Sequence, residues 1–369
     1  MRARPISAAN FFTALAGLLL AGIARAALPT YYPAEYQTLV DGARREGKVV
    51  VYAATDLSAA SPLIHDFETL FPGVRVDYRE LNSAELYARY LGDIASNKPI
   101  ADALWSPAMD LQMKLANDNR AASYRSPEAG YLPDWAVWRD MAYGTTFEPA
   151  VIVFNRRNVP PAEVPHSHAE LMALLAARHD KYLGRVTTYD IEKSALGFLF
   201  ATQDAHVMHD YWDLARQLGR SAVQFDPETA AMVERIASGR AYIGYNLIGS
   251  YAVARARHDP AIGVVMPGDY TLVMSRIVLL SKEAPHPNAA RLWLDYLLSA
   301  RGQNLLAGRA GMAALRKDVQ GEASSAHLRD GLGGSMKAIT VGPGLFVYRD
   351  QAKQAEFLRR WRRETQGAR

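Results

Sequence analysis

Short β-branched apolar runs alternate with segments of helical period along most of the chain. Residues 37–46 read as a helix stopped at Gly47, and Lys48-Val49-Val50-Val51-Tyr52 as a buried strand. A helix carrying Leu63, Phe67 and Leu70 at helical spacing follows, and Pro72-Gly73 ends it. Residues 74–78 form the next strand, 83–96 a helix and 101–105 a further short strand. This strand–helix–strand order predicts a parallel sheet with right-handed crossovers. Two longer extended runs, 145–155 and 270–280, stand apart and read as strands passing between two lobes. Between them lies a second alternating block: strand 185–188, helices at 194–202 and 210–218, and strand 241–246. After it, 288–306 reads as one strong helix and 351–363 as a basic amphipathic helix. No internal repeat or low-complexity linker interrupts the pattern.

The amino terminus has a different character. Arg2 and Arg4 precede an apolar run from Phe11 to Ile23, and Ala24-Arg25-Ala26 closes it with small residues at cleavage-type spacing. That is a secretory signal peptide over 1–26. The run is shorter than the roughly 20 residues that span a bilayer, and Pro29 and Pro33 would break a longer helix. An exported mature chain is expected, in the periplasm if the envelope is bacterial.

Its length of about 340 residues exceeds what one core usually serves, so two lobes are expected. Apolar residues make up 49% of the chain and charged residues 22%, ordinary values for a globular protein. Loss of the three leader arginines takes the formal charge from +4 to +1, which gives no footing for nucleic-acid binding. With 0 Cys, thiolate metal sites, cysteine nucleophiles and cysteine lipidation are excluded.

The leader, the first strand with its Thr/Ser loop, the paired crossing strands and the run Pro285-His286-Pro287-Asn288-Ala289-Ala290-Arg291-Leu292-Trp293-Leu294-Asp295-Tyr296-Leu297-Leu298-Ser299, with Gln303 after it, resemble the extracellular solute-binding proteins of ABC importers. The resemblance covers roughly the whole mature chain. It is nearest the branch of ferric-iron, thiamine, phosphonate and sugar-phosphate binders. It implies an α/β, two-lobed periplasmic-binding-protein fold of type II, with the crossing strands as hinge. The lobes are expected at 27–145 with 272–315 and at 146–271 with 316–369. The partners implied are a small-molecule ligand and an inner-membrane ABC permease, or a sensor kinase, with a monomeric chain and no cofactor.

Ligands of open α/β sheets sit beyond the carboxyl ends of strands, where helix N-termini favour anions. Four segments meet this condition. The first holds Thr55, Asp56 and Ser58, with Asp56 expected to cap the helix. The second holds Trp105, either a flat face for a ligand or core packing, and Ser106. In the third, family members place ligand contacts at Thr188, Tyr189, Asp190 and Ser194. The fourth holds Tyr245, Asn246, Ser250 and Tyr251. Iron binders of the branch carry an adjacent Tyr-Tyr pair there, whereas this chain has Ser250-Tyr251. Hard ferric ion needs several anionic oxygens, so a phosphorylated or other anionic organic solute is expected ahead of ferric iron or thiamine, and no resident metal. His166, His168, His206 and His209 read as surface residues. The competing class is an exported hydrolase using Asp56 and Asp190 as paired carboxylates, though no catalytic motif fixes them. A binding protein, not an enzyme, is expected.

Overall fold

The computed structural model describes residues 28–366 except Pro99. The signal-peptide reading falls on residues outside this range. Among the described residues no helix is long and apolar enough to cross a membrane.

Among the described residues thirteen strands build two sheets. The first contains β1 (Lys48–Ala53), β2 (Arg75–Glu80), β3 (Ala103–Ser106), β4 (Val137–Trp138), β5 (Ala142–Gly144) and β12 (Ile277–Leu280), in the order β2-β1-β3-β12-β5-β4. The second contains β6 (Glu148–Asn155), β7 (Val186–Tyr189), β8 (Gln224–Asp226), β9 (Ile243–Ile248), β11 (Thr271–Met274) and β13 (Met336–Ala338), in the order β13-β11-β6-β9-β7-β8, with β10 (Ile262–Val265) also paired to β6. As the strand–helix–strand order requires, β1 runs parallel to β2 and β3, and β7 parallel to β8 and β9. The returning strands β12 and β6 are antiparallel to their neighbours β3, β5, β9 and β11.

Both extended runs pass between the sheets. The chain leaves β5 and enters β6 across residues 145–147, then leaves β11 and enters β12 across Ser275-Arg276. The expected strand 270–280 is thus two shorter ones, β11 and β12, and that over 145–155 is the crossing followed by β6. The carboxyl-terminal part is divided as well. Leu332, on the helix Ser325–Leu332, joins the core of the first sheet, whereas β13 joins the second sheet and the helix Gln351–Gln366 packs through Phe357 and Trp361.

The helix expected over 288–306 is two helices, Pro287–Leu298 and Ala300–Ala307. Ser299 breaks it: its extended backbone turns the chain and its Oγ accepts the Gly302 N–H at 3.1 Å. A Cβ on Gly302 would lie 2.1 Å from the Tyr296 carbonyl oxygen, so glycine is needed at this close turn. The first helix buries Leu292, Trp293, Tyr296 and Leu297 against the helices Tyr36–Glu46 and Leu57–Leu70, with Trp293 and Phe67 rings edge to face at 5.1 Å.

Candidate functional site

The carboxyl ends of β1, β2, β3, β7, β8 and β9 point into one cleft between the sheets. The cleft encloses a cavity of about 350 Å³, the size of a small organic solute site. The first-sheet side supplies Ala54, Asp56, Glu80, Asn82, Ser83 and Pro107; the second supplies Tyr189, Lys193, Ser194, Glu228, Thr229 and Tyr251; Arg276 comes from the second crossing.

Three helices begin on this cavity: Ser83–Ala95, Ala195–Val207 and Thr229–Ala237. Asn82 and Ser194 cap the first two, accepting the N–H groups of Glu85 (2.9 Å) and Gly197 (3.1 Å). The earlier N–H groups of each first turn, those of Ser83 and Ala84, Ala195 and Leu196, and Thr229 and Ala230, have no acceptor inside their helices and lie on the cavity wall. Three partial positive charges therefore converge on one volume.

Arg276 forms the base of the cleft. Its side chain is 1% exposed and that of its partner Glu148 0%, with Nε to Oε1 at 2.8 Å. Nη1 donates to the Ala54 carbonyl (3.1 Å) and to Thr55 Oγ1 (2.9 Å), so the guanidinium joins the second crossing to the β1 loop. Ser250 Oγ donates to Glu148 Oε2 at 2.5 Å. Burial, the largest single influence, would lower the Arg276 pKa, but the charges and hydrogen bonds of Glu148 and Tyr251 together hold the group above its usual value. Tyr251, beside Arg276 and Asp56, has its phenol pushed up to about 12 by burial, with Arg276 opposing.

Of the residues read from sequence, Asp56, Tyr189, Ser194 and Tyr251 meet on the cavity wall. The others lie elsewhere for identifiable reasons. Asp56 does not cap its helix; Glu80 Oε2 takes the Leu57 N–H at 2.8 Å, which leaves the half-buried Asp56 carboxylate on the wall. Ser58 is exposed in the first helical turn, and Thr55 is buried beneath the wall against Arg276. Trp105 belongs to the core, with its indole N–H on Thr145 Oγ1 at 2.8 Å. Ser106 is buried and bonds Ser83 Oγ at 3.1 Å, supporting the wall from behind. Thr188 Oγ1 donates to the Tyr245 carbonyl. Asp190 Oδ1 accepts the Glu192 N–H, and its other oxygen pairs with Lys193 at 3.1 Å. Tyr245 and Asn246 both donate to the fully buried Asp204, so they fix the end of β9 rather than face the cavity. His168 is buried, stacked on Tyr270 at 4.0 Å and bonded to Asp269, contrary to the surface reading. Sequence reasoning missed Asn82, Ser83, Thr229 and Arg276.

Two sheets joined by crossing strands over a polar cleft define a two-lobed receptor for small solutes. Residues 62–328 match the family model of bacterial extracellular solute-binding proteins, and the chain belongs to that family. It is similar to the substrate-binding protein of an ABC transporter from Agrobacterium tumefaciens, with 35% identity over 86% of this chain and 94% of that one, at a TM-score of 0.82. The fold is shared with the periplasmic binding protein AfuA from Actinobacillus pleuropneumoniae, solved with fructose 6-phosphate (16% identity, 86% and 98% coverage, TM-score 0.71). It is also shared with the apo ferric ion-binding protein A of Pasteurella haemolytica (18% identity, 85% and 98% coverage, TM-score 0.68). A comparison with curated proteins finds no match. The chain is a substrate-binding protein of the ABC-transporter type.

Proposed function

We propose that the mature chain is the periplasmic receptor of an ABC importer and that its cleft takes a phosphorylated or carboxylated organic solute bearing hydroxyl or amino groups. The observation that carries this reading is the convergence of three helix N-termini, with unsatisfied first-turn N–H groups, on one cavity. Asp56, Glu80 and the Tyr251 hydroxyl on the same wall would accept or share the solute's own donors. Lobes divided near the two crossings would close about 145–147 and 275–276, the hinge type of motion. A permease is the partner such a receptor serves, and the monomer is the form expected in solution.

The site does not favour ferric iron. Ser250 stands where a second phenol would be needed, and its hydroxyl is committed to Glu148. Hydrolysis by Asp56 and Asp190 is not supported either, because Asp190 lies off the cavity wall and is engaged by Lys193.

The test is calorimetric titration of the mature protein with hexose phosphates, phosphoglycerates, alkylphosphonates, thiamine and Fe(III). A phosphorylated or carboxylated solute should bind, and Asp56→Asn should weaken it by about tenfold or more. Binding of ferric iron alone, with a tyrosinate charge-transfer band, would overturn the reading.

A further inference from the structure

A second cavity, of about 430 Å³, shares a wall with the cleft. The helix Gly249–Ala256 divides them: Ser250 lines the second cavity and Tyr251 the first. Glu148, bonded to both Ser250 and Arg276, lies between. The second cavity differs in chemistry. Val151, Val253, Ile262, Val264, Met266 and Leu328 make its walls hydrocarbon. Val253 is 43% exposed and Met266 36%, and these are two of only six large hydrophobic side chains left exposed among the described residues. Leaving them in water costs about 25 cal/mol per Å² relative to covering them.

Its charged residues are Arg156, Arg257 and Glu322, a balance of one positive charge. Neither arginine takes part in an ion pair among the described residues. Arg156 donates from Nε to the Ile262 carbonyl at 3.2 Å and lies over the Phe154 ring, which orients its guanidinium while leaving the charge uncompensated. An apolar enclosure with one net positive charge is complementary to a hydrocarbon body carrying one negative charge.

We propose that this cavity is a second ligand site, for a small amphipathic monoanion of the aliphatic or aromatic carboxylate class. The alkyl or aryl body would lie against Val253, Val264 and Met266, with the carboxylate at Arg257 and Arg156. The proposal does not depend on which solute fills the cleft.

The experiment is calorimetric titration of the mature protein with octanoate, with octanol and inorganic phosphate as the uncharged and non-apolar comparisons. Octanoate should saturate a single site, octanol should bind at least about tenfold more weakly, and phosphate should not displace octanoate. Val253→Asp should abolish octanoate binding and Arg257→Glu should weaken it about tenfold. Both positions are exposed, so the thermal midpoints should match the parent and loss of binding can be assigned to the site. Asp56→Asn, on the cleft wall, should leave octanoate affinity unchanged. Equal binding of octanoate and octanol, parental affinity in Val253→Asp, or loss of octanoate binding in Asp56→Asn would each overturn the assignment.

Discussion

Glu148→Gln isolates the electrostatics of the crossing with little change in shape. Glu148 and Arg276 are both essentially without solvent contact, at 0% and 1% side-chain exposure, so water does little to screen them. The pair is also bonded outward: Arg276 to Ala54 and Thr55, Glu148 to Ser250. Removing one charge leaves a buried guanidinium with neutral partners only, and breaking a buried pair in this way typically costs about 3–5 kcal/mol. Because the guanidinium keeps two oxygen acceptors, we expect the lower end, about 3 kcal/mol. For a chain of this size that is a fall in midpoint of about 4 °C. Urea unfolding and calorimetry of the mature protein measure it. The double variant Glu148→Gln/Arg276→Met removes the uncompensated charge and should recover most of the lost stability, since a buried pair is often replaceable by apolar groups at little net cost. The same double variant should lose solute affinity, because Arg276 lines the cavity. A Glu148→Gln protein within about 0.5 kcal/mol of the parent, or a double variant no more stable than the single, would refute the argument.

Three further outcomes follow from other parts of the molecule. Burial raises the Asp295 carboxyl to about 7 despite hydroxyl donors from Ser126, Tyr124 and Tyr36; its protonated form is favoured in the folded state, so its contribution is full below about pH 4 and is lost as pH rises to about 7, a change of about 4 kcal/mol. Asp295→Asn should flatten that part of the urea stability profile. In Gly197→Ala the new Cβ would meet Tyr189 Cβ at 2.3 Å, so Tyr189 must leave its place on the cleft wall; stability should fall by about 1–3 kcal/mol and solute affinity should drop in calorimetry. Arg349→Met removes the 3.0 Å pair to the buried Asp110, which ties the carboxyl-terminal segment to the first-sheet helix Met109–Asn117; unfolding free energy should fall by about 3 kcal/mol and return in Arg349→Met/Asp110→Asn.

The alternation of strands and helices was legible because each strand is buried and β-branched and each helix carries an apolar stripe. The crossings were legible as runs too long and too apolar for the surrounding rhythm. The same runs held an unread signal. Glu148 is the single charged residue in 145–155 and Arg276 the single one in 270–280, opposite charges on two apolar strands. A lone buried charge needs a partner, and each run supplies the other's. Asn82-Ser83-Ala84-Glu85 likewise carries a cap signature at the mouth of the cleft. The placement of Trp105 follows from the period-two pleat. Trp105 faces the core of the first sheet, whereas the side chains of its neighbours Leu104 and Ser106 point to the other face. Tyr245 and Asn246 end on Asp204, a residue 41 or 42 positions away that no local pattern connects to them.

The cationic side chains of the cleft are already paired, and this fixes how binding should respond to salt. Arg276 is neutralised by Glu148 and cannot act as a free counter-ion. Lys193 stands at the exposed rim and is paired with Asp190, so its charge is largely screened. What remains for an anionic group is the set of N–H donors at Ser83, Ala195 and Thr229, which act at hydrogen-bond range, while Asp56 and Glu80 add negative charge on the side of Ser83 and Glu228 on the side of Thr229. Attraction of this kind does not depend on a long-range field. Raising ionic strength from about 0.05 M to about 0.5 M should therefore change the solute Kd by less than about threefold, although the Debye length falls from about 14 Å to about 4 Å. Calorimetry across that range with the best solute measures the slope. A loss of affinity of about tenfold or more would mean that unpaired cations hold the anion, and the helix N-termini would then not be the recognition element.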